Sequence, residues 1–143
     1  MLLLGTFATA QYGRRYDRDR YPSRAPYESA LSDLHQAMDI MNTIDRGMPN
    51  HKEIRDNINY AINQLNGAAN AVGQSGSNLP PSAPVRRGDR LDMVSDLLER
   101  ADRKLASYRE RNPDANTLAQ TARDKIQDAL QLVERTRSGR GRW

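Results

Sequence analysis

His35 and His51 are the two side chains of the sequence with ordinary acid/base or ligand chemistry near neutral pH. Neither lies in a metal-binding frame. There is no His-Glu-x-x-His, and no Glu-x-x-His pair of the kind that facing helices of a di-iron bundle supply. Cysteine is absent, which excludes disulfides, thiolate metal sites and a cysteine nucleophile. Gly73-Gln74-Ser75-Gly76 fits neither a phosphate loop nor a nucleophile elbow. The carboxylates Asp33, Asp39, Asp45, Glu53, Asp56, Asp92, Asp96 and Glu99 fall on polar helix faces and are expected to be solvated. His35 is expected at the edge of an apolar stripe, and His51 as a solvated residue of a first helical turn. The pattern predicts no catalytic residue, metal ligand or cofactor, so the chain reads as a non-enzyme.

Arginine is the chemistry that remains. Residues 11–26 hold Arg14, Arg15, Arg18, Arg20 and Arg24 against Asp17 and Asp19. Arg86 and Arg87 stand in the middle of the chain, and Arg135, Arg137, Arg140 and Arg142 near its end. The formal net charge is +4. Once these three segments (+3, +2 and +4) are set aside, the rest of the chain carries −5. Basic arms on an acidic body point to the arms as the place where an anionic partner binds. Guanidinium forks hold phosphates and carboxylates, and Tyr12, Tyr16, Tyr21, Tyr27 and Trp143 supply rings that stack or sit at a membrane interface. The candidate anion-binding residues are therefore Arg14, Arg15, Arg18, Arg20, Arg24, Arg137, Arg140 and Arg142.

The first ten residues, MLLLGTFATA, carry a short apolar stretch followed by Ala8-Thr9-Ala10, a small-x-small site that signal peptidase accepts. Residues 1–10 read as a signal peptide truncated at its basic start, with Gln11 as the mature first residue and an exported protein as the result. Arg14 and Arg15 oppose translocation by the positive-inside rule, and a cytoplasmic protein is the alternative. Residues 11–26 have almost no aliphatic side chains to offset ordering entropy and are expected to form a disordered Tyr/Arg-rich arm. The same is expected of 137–143.

The 143 residues suit one domain, with 37% hydrophobic and only 6% aromatic residues, a composition for a helical core. Four apolar stripes recur at three-and-four spacing. The first comprises Ala30, Leu31, Leu34, Ala37, Met38, Met41 and Ile44. The second comprises Ile54, Ile58, Ala61, Leu65, Ala68 and Val72. The third comprises Leu91, Val94, Leu97, Leu98, Ala101, Leu105 and Tyr108, and the fourth Leu118, Ala122, Ile126, Ala129, Leu132 and Val133. Gly47-Met48-Pro49 ends the first helix, and Asn50-x-x-Glu53 has the spacing of a cap for the second. The Gly/Pro/Ser-rich residues 73–88 form a linker, Asp89 can cap the third helix, and Asn112-Pro113 divides the third from the fourth. Helices are predicted over 27–46, 50–72, 89–110 and 113–136.

One amphipathic helix cannot hide its stripe alone, whereas four of similar length can. The expectation is an all-α, antiparallel up-down four-helix bundle of two helical hairpins spanning 27–136. Arg55-Asp56-x-Ile58-x-x-Ala61 resembles Arg123-Asp124-x-Ile126-x-x-Ala129, 68 residues on, and Ser32-Asp33-Leu34 matches Ser95-Asp96-Leu97, 63 residues on. Duplication of one hairpin would explain these matches, as would the pattern shared by any two amphipathic helices. No apolar run reaches the roughly 20 residues of a membrane span. The functional expectation is a small exported protein of binding or structural type whose basic arms contact an anionic envelope component or an acidic partner. The alternative is a cytoplasmic nucleic-acid-associated protein using the same arms.

Overall fold

The computed structural model describes residues 24–74, 79 and 89–139. These form four helices and no strand: α1 (Tyr27–Asn42), α2 (His51–Ala71), α3 (Arg90–Ala106) and α4 (Pro113–Ser138). Each helix turns its apolar stripe inward. Leu31, Leu34, Met41, Ile54, Ile58, Leu65, Val94, Leu97, Leu98, Ile126 and Val133 are all fully buried in one core cluster. Ile44, Val72, Tyr108, Leu118 and Leu132, at the ends or flanks of the stripes, are half-buried against it.

Local chemistry sets the helix ends. Asp89 accepts from the backbone N–H of Leu91 at 3.3 Å, and Asn112 Oδ1 accepts from Asp114 and Ala115 at 3.0 and 3.1 Å, ahead of Pro113 in the first turn of α4. The expected cap at Asn50 is not made. Asn50 lies in the left-handed region (φ 64°), and its amide donates to Thr136 Oγ1 of α4 instead. α1 stops at Asn42, earlier than expected, because Thr43 Oγ1 takes the Ile40 carbonyl and Asp45 Oδ1 accepts from the Gly47 N–H in a side-chain-closed turn. Met48, in that turn, is buried. α3 likewise ends at Ala106, where Ser107 Oγ donates to the Lys104 carbonyl.

The helices pack as a ring in the order α1, α2, α4, α3. The α1/α4 and α2/α3 pairs do not touch. Contacts at both ends of each neighbouring pair fix its direction. Met41 meets His51 and Ala25 meets Gln74 between α1 and α2, while Asp92 meets Arg137 and Asp102 meets Arg123 between α3 and α4. Across the hairpins, Thr43 meets Arg90 and Ser29 meets Lys104. Pro49 meets Thr136, and Ala71 meets Asn112. Every helix thus runs opposite to both of its neighbours. The chain order is not the up-down succession expected: α2 and α3 are parallel and sit on a diagonal, so the end of α2 and the start of α3 lie at opposite ends of the bundle.

The widest interfaces lie between the hairpins, α2 on α4 above all. Gly67 allows a close approach there, since a Cβ on it would lie 3.0 Å from Leu118 Cδ1. With Leu98 fully buried and Arg103 exposed on the same helix, Leu98→Ala is expected to cost about 2–5 kcal/mol and Arg103→Ala roughly 0.5 kcal/mol or less. Urea unfolding followed by circular dichroism measures both, and equal losses would contradict the inward face assigned to α3.

Candidate functional site

The expected anion-binding arginines divide into two groups. Arg14, Arg15, Arg18, Arg20, Arg140 and Arg142 lie outside the described residues. Arg24 and Arg137 are described, and both already face carboxylates. Arg24 pairs with Glu28 at 2.5 Å. Arg137 reaches Asp92 at 2.9 Å and Glu134 at 3.1 Å. Arg137 was expected in a disordered tail, yet α4 continues through Ser138 and this residue ties α4 to the start of α3. Ala25, expected in the disordered arm, is buried, and its carbonyl accepts from Gln74 Nε2 at 3.0 Å.

The directions of the helices determine where the arms attach. Arg24 stands at the end of the bundle that carries Tyr27, Tyr108 and Asn112, and Gly139 at the opposite end with Thr43 and Asn50. α4 alone spans 26 residues, so the two points of attachment are roughly 35–40 Å apart. The N-terminal arm and the C-terminal tail therefore depart from opposite ends of an acidic body.

Burial reverses three assignments made from polarity. Asp33 was expected on a polar face, but its side chain is 0% exposed. Lys104 Nζ donates to Asp33 Oδ2 at 2.7 Å and to Ser29 Oγ at 2.7 Å, and Arg100 Nη1 lies 3.6 Å from Asp33 Oδ1. His51 is buried rather than solvated, with Nε2 2.9 Å from the Met41 carbonyl across the α1–α2 turn. His35 lies on the exposed side rather than at the stripe edge. The remaining carboxylates of the expected set are exposed or half-buried. Among the described residues no group of three or more His, Asp or Glu side chains could hold a metal ion, and no helix is long and apolar enough to cross a membrane.

One recess concentrates polar groups. Tyr27, Tyr108, Glu110, Asn116, Gln120 and Arg123 line a cavity of about 70 Å³ at the base of the bundle, a volume on the scale of a few water molecules. The Tyr27 ring is buried, meets Tyr108 edge-on at 6.2 Å, and donates its hydroxyl hydrogen to Glu110 Oε1. Glu110 Oε2 accepts from the Asn112 N–H at 3.0 Å, so the same carboxylate organises the α3–α4 turn. Burial, then the bond to Glu110, holds the Tyr27 phenol far above its ordinary value. Tyr108 is raised by burial and by the Glu110 charge, with Arg111 opposing. Sequence periodicity had no means of finding this recess, because it joins the first residue of α1 to a turn more than 80 residues away.

No family model, curated protein or solved structure matches the chain.

The raised Tyr27 phenol has a defined consequence for stability. The unfolded chain releases this proton near the ordinary value of 10.0, whereas the folded chain retains it well above that. The contribution is fully present below pH 10 and is lost as pH rises further. Tyr27→Phe is therefore expected to flatten the fall in stability above about pH 10, measured as urea midpoints from pH 8 to 12. An alkaline slope unchanged by the substitution would contradict the buried Tyr27–Glu110 contact.

Proposed function

We propose that this is an exported, non-enzymatic helical-bundle protein whose two basic arms engage an anionic component of the cell envelope, the bundle serving as a rigid spacer between them. The observation that carries the reading is the attachment of the arms at opposite ends of a body whose described residues hold 16 Asp and Glu against 14 Lys and Arg, a net charge of −2. The body repels a polyanion, and the arms attract it. The binding set is Arg14, Arg15, Arg18, Arg20, Arg24, Arg137, Arg140 and Arg142, of which Arg24 and Arg137 also pair with surface carboxylates of the bundle. Export is supported by the apolar Leu2-Leu3-Leu4 stretch and the Ala8-Thr9-Ala10 site.

The test combines binding with location. Juxtamembrane arginines contribute about 1 kcal/mol each to attraction by an anionic bilayer, and exposed charge is screened over about 8 Å at physiological salt. Binding to phosphatidylglycerol vesicles is expected to weaken steeply between 50 and 500 mM NaCl, values on the order of those that separate weak from strong screening. Changing Arg14, Arg15, Arg18, Arg20, Arg140 and Arg142 to Gln is expected to cost tenfold or more in affinity, by the order of magnitude above, and to leave helical content intact. Undiminished binding by the neutralised variant would move the site to the helical body. The mature N-terminus of the protein recovered from cells is expected at Gln11. An intact Met1, together with tighter binding to single-stranded nucleic acid than to vesicles, would replace this reading with the nucleic-acid one.

A further inference from the structure

We propose that the α1–α2 and α3–α4 hairpins are two copies of one unit, packed on each other about a pseudo-twofold axis, and that the Asp33–Lys104–Arg100 cluster, present on one side of that axis only, makes each hairpin complementary to the other rather than to itself.

The buried, half-buried and exposed positions of residues 27–45 recur 64 residues later, at 91–109, with Ser32 the single exception. Those of 54–65 recur 68 residues later, at 122–133, with Ile62 the single exception. Leu34 corresponds to Leu98, Ala37 to Ala101, Ile58 to Ile126 and Ala61 to Ala129. The register of α1 on α3 is one residue away from the Ser-Asp-Leu match, because Asp33 is buried while Asp96 is only half-buried. The difference between the two intervals is four residues, about one helical turn, and corresponds to the extra N-terminal turn of α4.

Amphipathic helices in any bundle share some burial pattern, so the position of the axis is the independent observation. A twofold that exchanges α1 with α3 and α2 with α4 must cross each pair where a residue meets its own counterpart. The contacts Ser29–Lys104 and Thr43–Arg90 put that crossing at residues 34–35 of α1. Pro49–Thr136 and Ala71–Asn112 put it at 57–59 of α2. The α1–α2 contacts Met41–His51 and Ala25–Gln74 place residues 34–35 level with about residue 60 of α2, within a turn of that crossing. One axis therefore serves both pairs, as it would in a dimer of hairpins joined into a single chain.

The symmetry fails at the ion cluster. The counterparts of Asp33, Lys104 and Arg100 are Leu97, Ile40 and Gln36. Two first hairpins face to face would bury each Asp33 against Ile40 and Gln36 without a cation. Two second hairpins would set Lys104 and Arg100 against Leu97. Only the mixed pair places the buried carboxylate against its cations, and breaking a buried pair is far more costly than replacing both partners.

The full-length protein tests both parts at once by moving the ion pair across the axis. The variant Asp33→Leu/Lys104→Ile/Leu97→Asp carries a buried carboxylate on the mirror side without its lysine, and adding Ile40→Lys supplies one. Ile40→Lys is expected to raise the folding equilibrium constant at least tenfold in that background, a modest part of what a buried pair is worth. It is expected to lower it in Asp33→Leu/Lys104→Ile, where Leu97 is kept. Urea midpoints by circular dichroism read both, and if the first variant is unfolded, the return of helix on adding Ile40→Lys is the readout. An equal effect of Ile40→Lys in the two backgrounds, or no recovered helix, would overturn the proposed equivalence.

Discussion

A fully buried carboxylate cannot be left without a cation, and in this bundle that constraint fixes which helix lies against which. Asp33 is near the middle of α1, and its cations Lys104 and Arg100 are in the second half of α3. Meeting this requirement sets α1 and α3 side by side, and the end contacts Thr43–Arg90 and Ser29–Lys104 hold them antiparallel. Once that pair is placed, the short turns carry α2 and α4 to the other side of the core, where Gly67 permits close contact with Leu118. The apolar stripes supply most of the driving force for collapse, but they are compatible with several helix orders. The ion cluster distinguishes among those orders, a specificity that a buried pair can provide even where it adds little net stability.

The number of helices, their type and their inward faces were legible in the sequence because period 3.6 is a local property. Ile54, Ile58, Ala61 and Leu65 announce a buried stripe whatever packs on it. The chain order was not legible, because residues 73–88 are long enough to permit either a simple return or a full-length crossover. Polar residues were misassigned where burial depends on a distant partner. Asp33 looks solvated until Lys104 is brought to it, and His51 looks like a solvated first-turn residue until the turn at 43–50 folds it under Met41. Asn50 had the right spacing for a cap, but a tertiary contact to Thr136 claims its side chain. Of the candidate anion site, the local pairs Arg24–Glu28 and Arg137–Glu134 were open to sequence reasoning, whereas Arg137–Asp92 was not, since Asp92 lies on another helix.

The same topology shapes the functional reading. Had the chain followed a simple up-down order, both termini would leave from one end and the basic arms would form a single cluster. In the observed order α1 and α4 are parallel across a diagonal, so the arms begin at opposite ends of the body. On the proposed function, such a body would hold two anionic sites apart.

Helix order is the claim on which the rest depends, and one distance measurement tests it directly. The chain has no cysteine, so single cysteines and spin labels can be introduced without background. Labels at Arg46→Cys and Arg90→Cys should lie at the same end of the bundle. Labels at Arg46→Cys and Arg109→Cys should be separated by the length of α3, about 25 Å for its 17 residues. Electron paramagnetic resonance distances in that order, short for the first pair and long for the second, are the result expected of antiparallel α1 and α3. The reverse order would mean that α3 runs parallel to α1, and the ion cluster, the parallel α2 and α3, and the opposed arms would all be wrong.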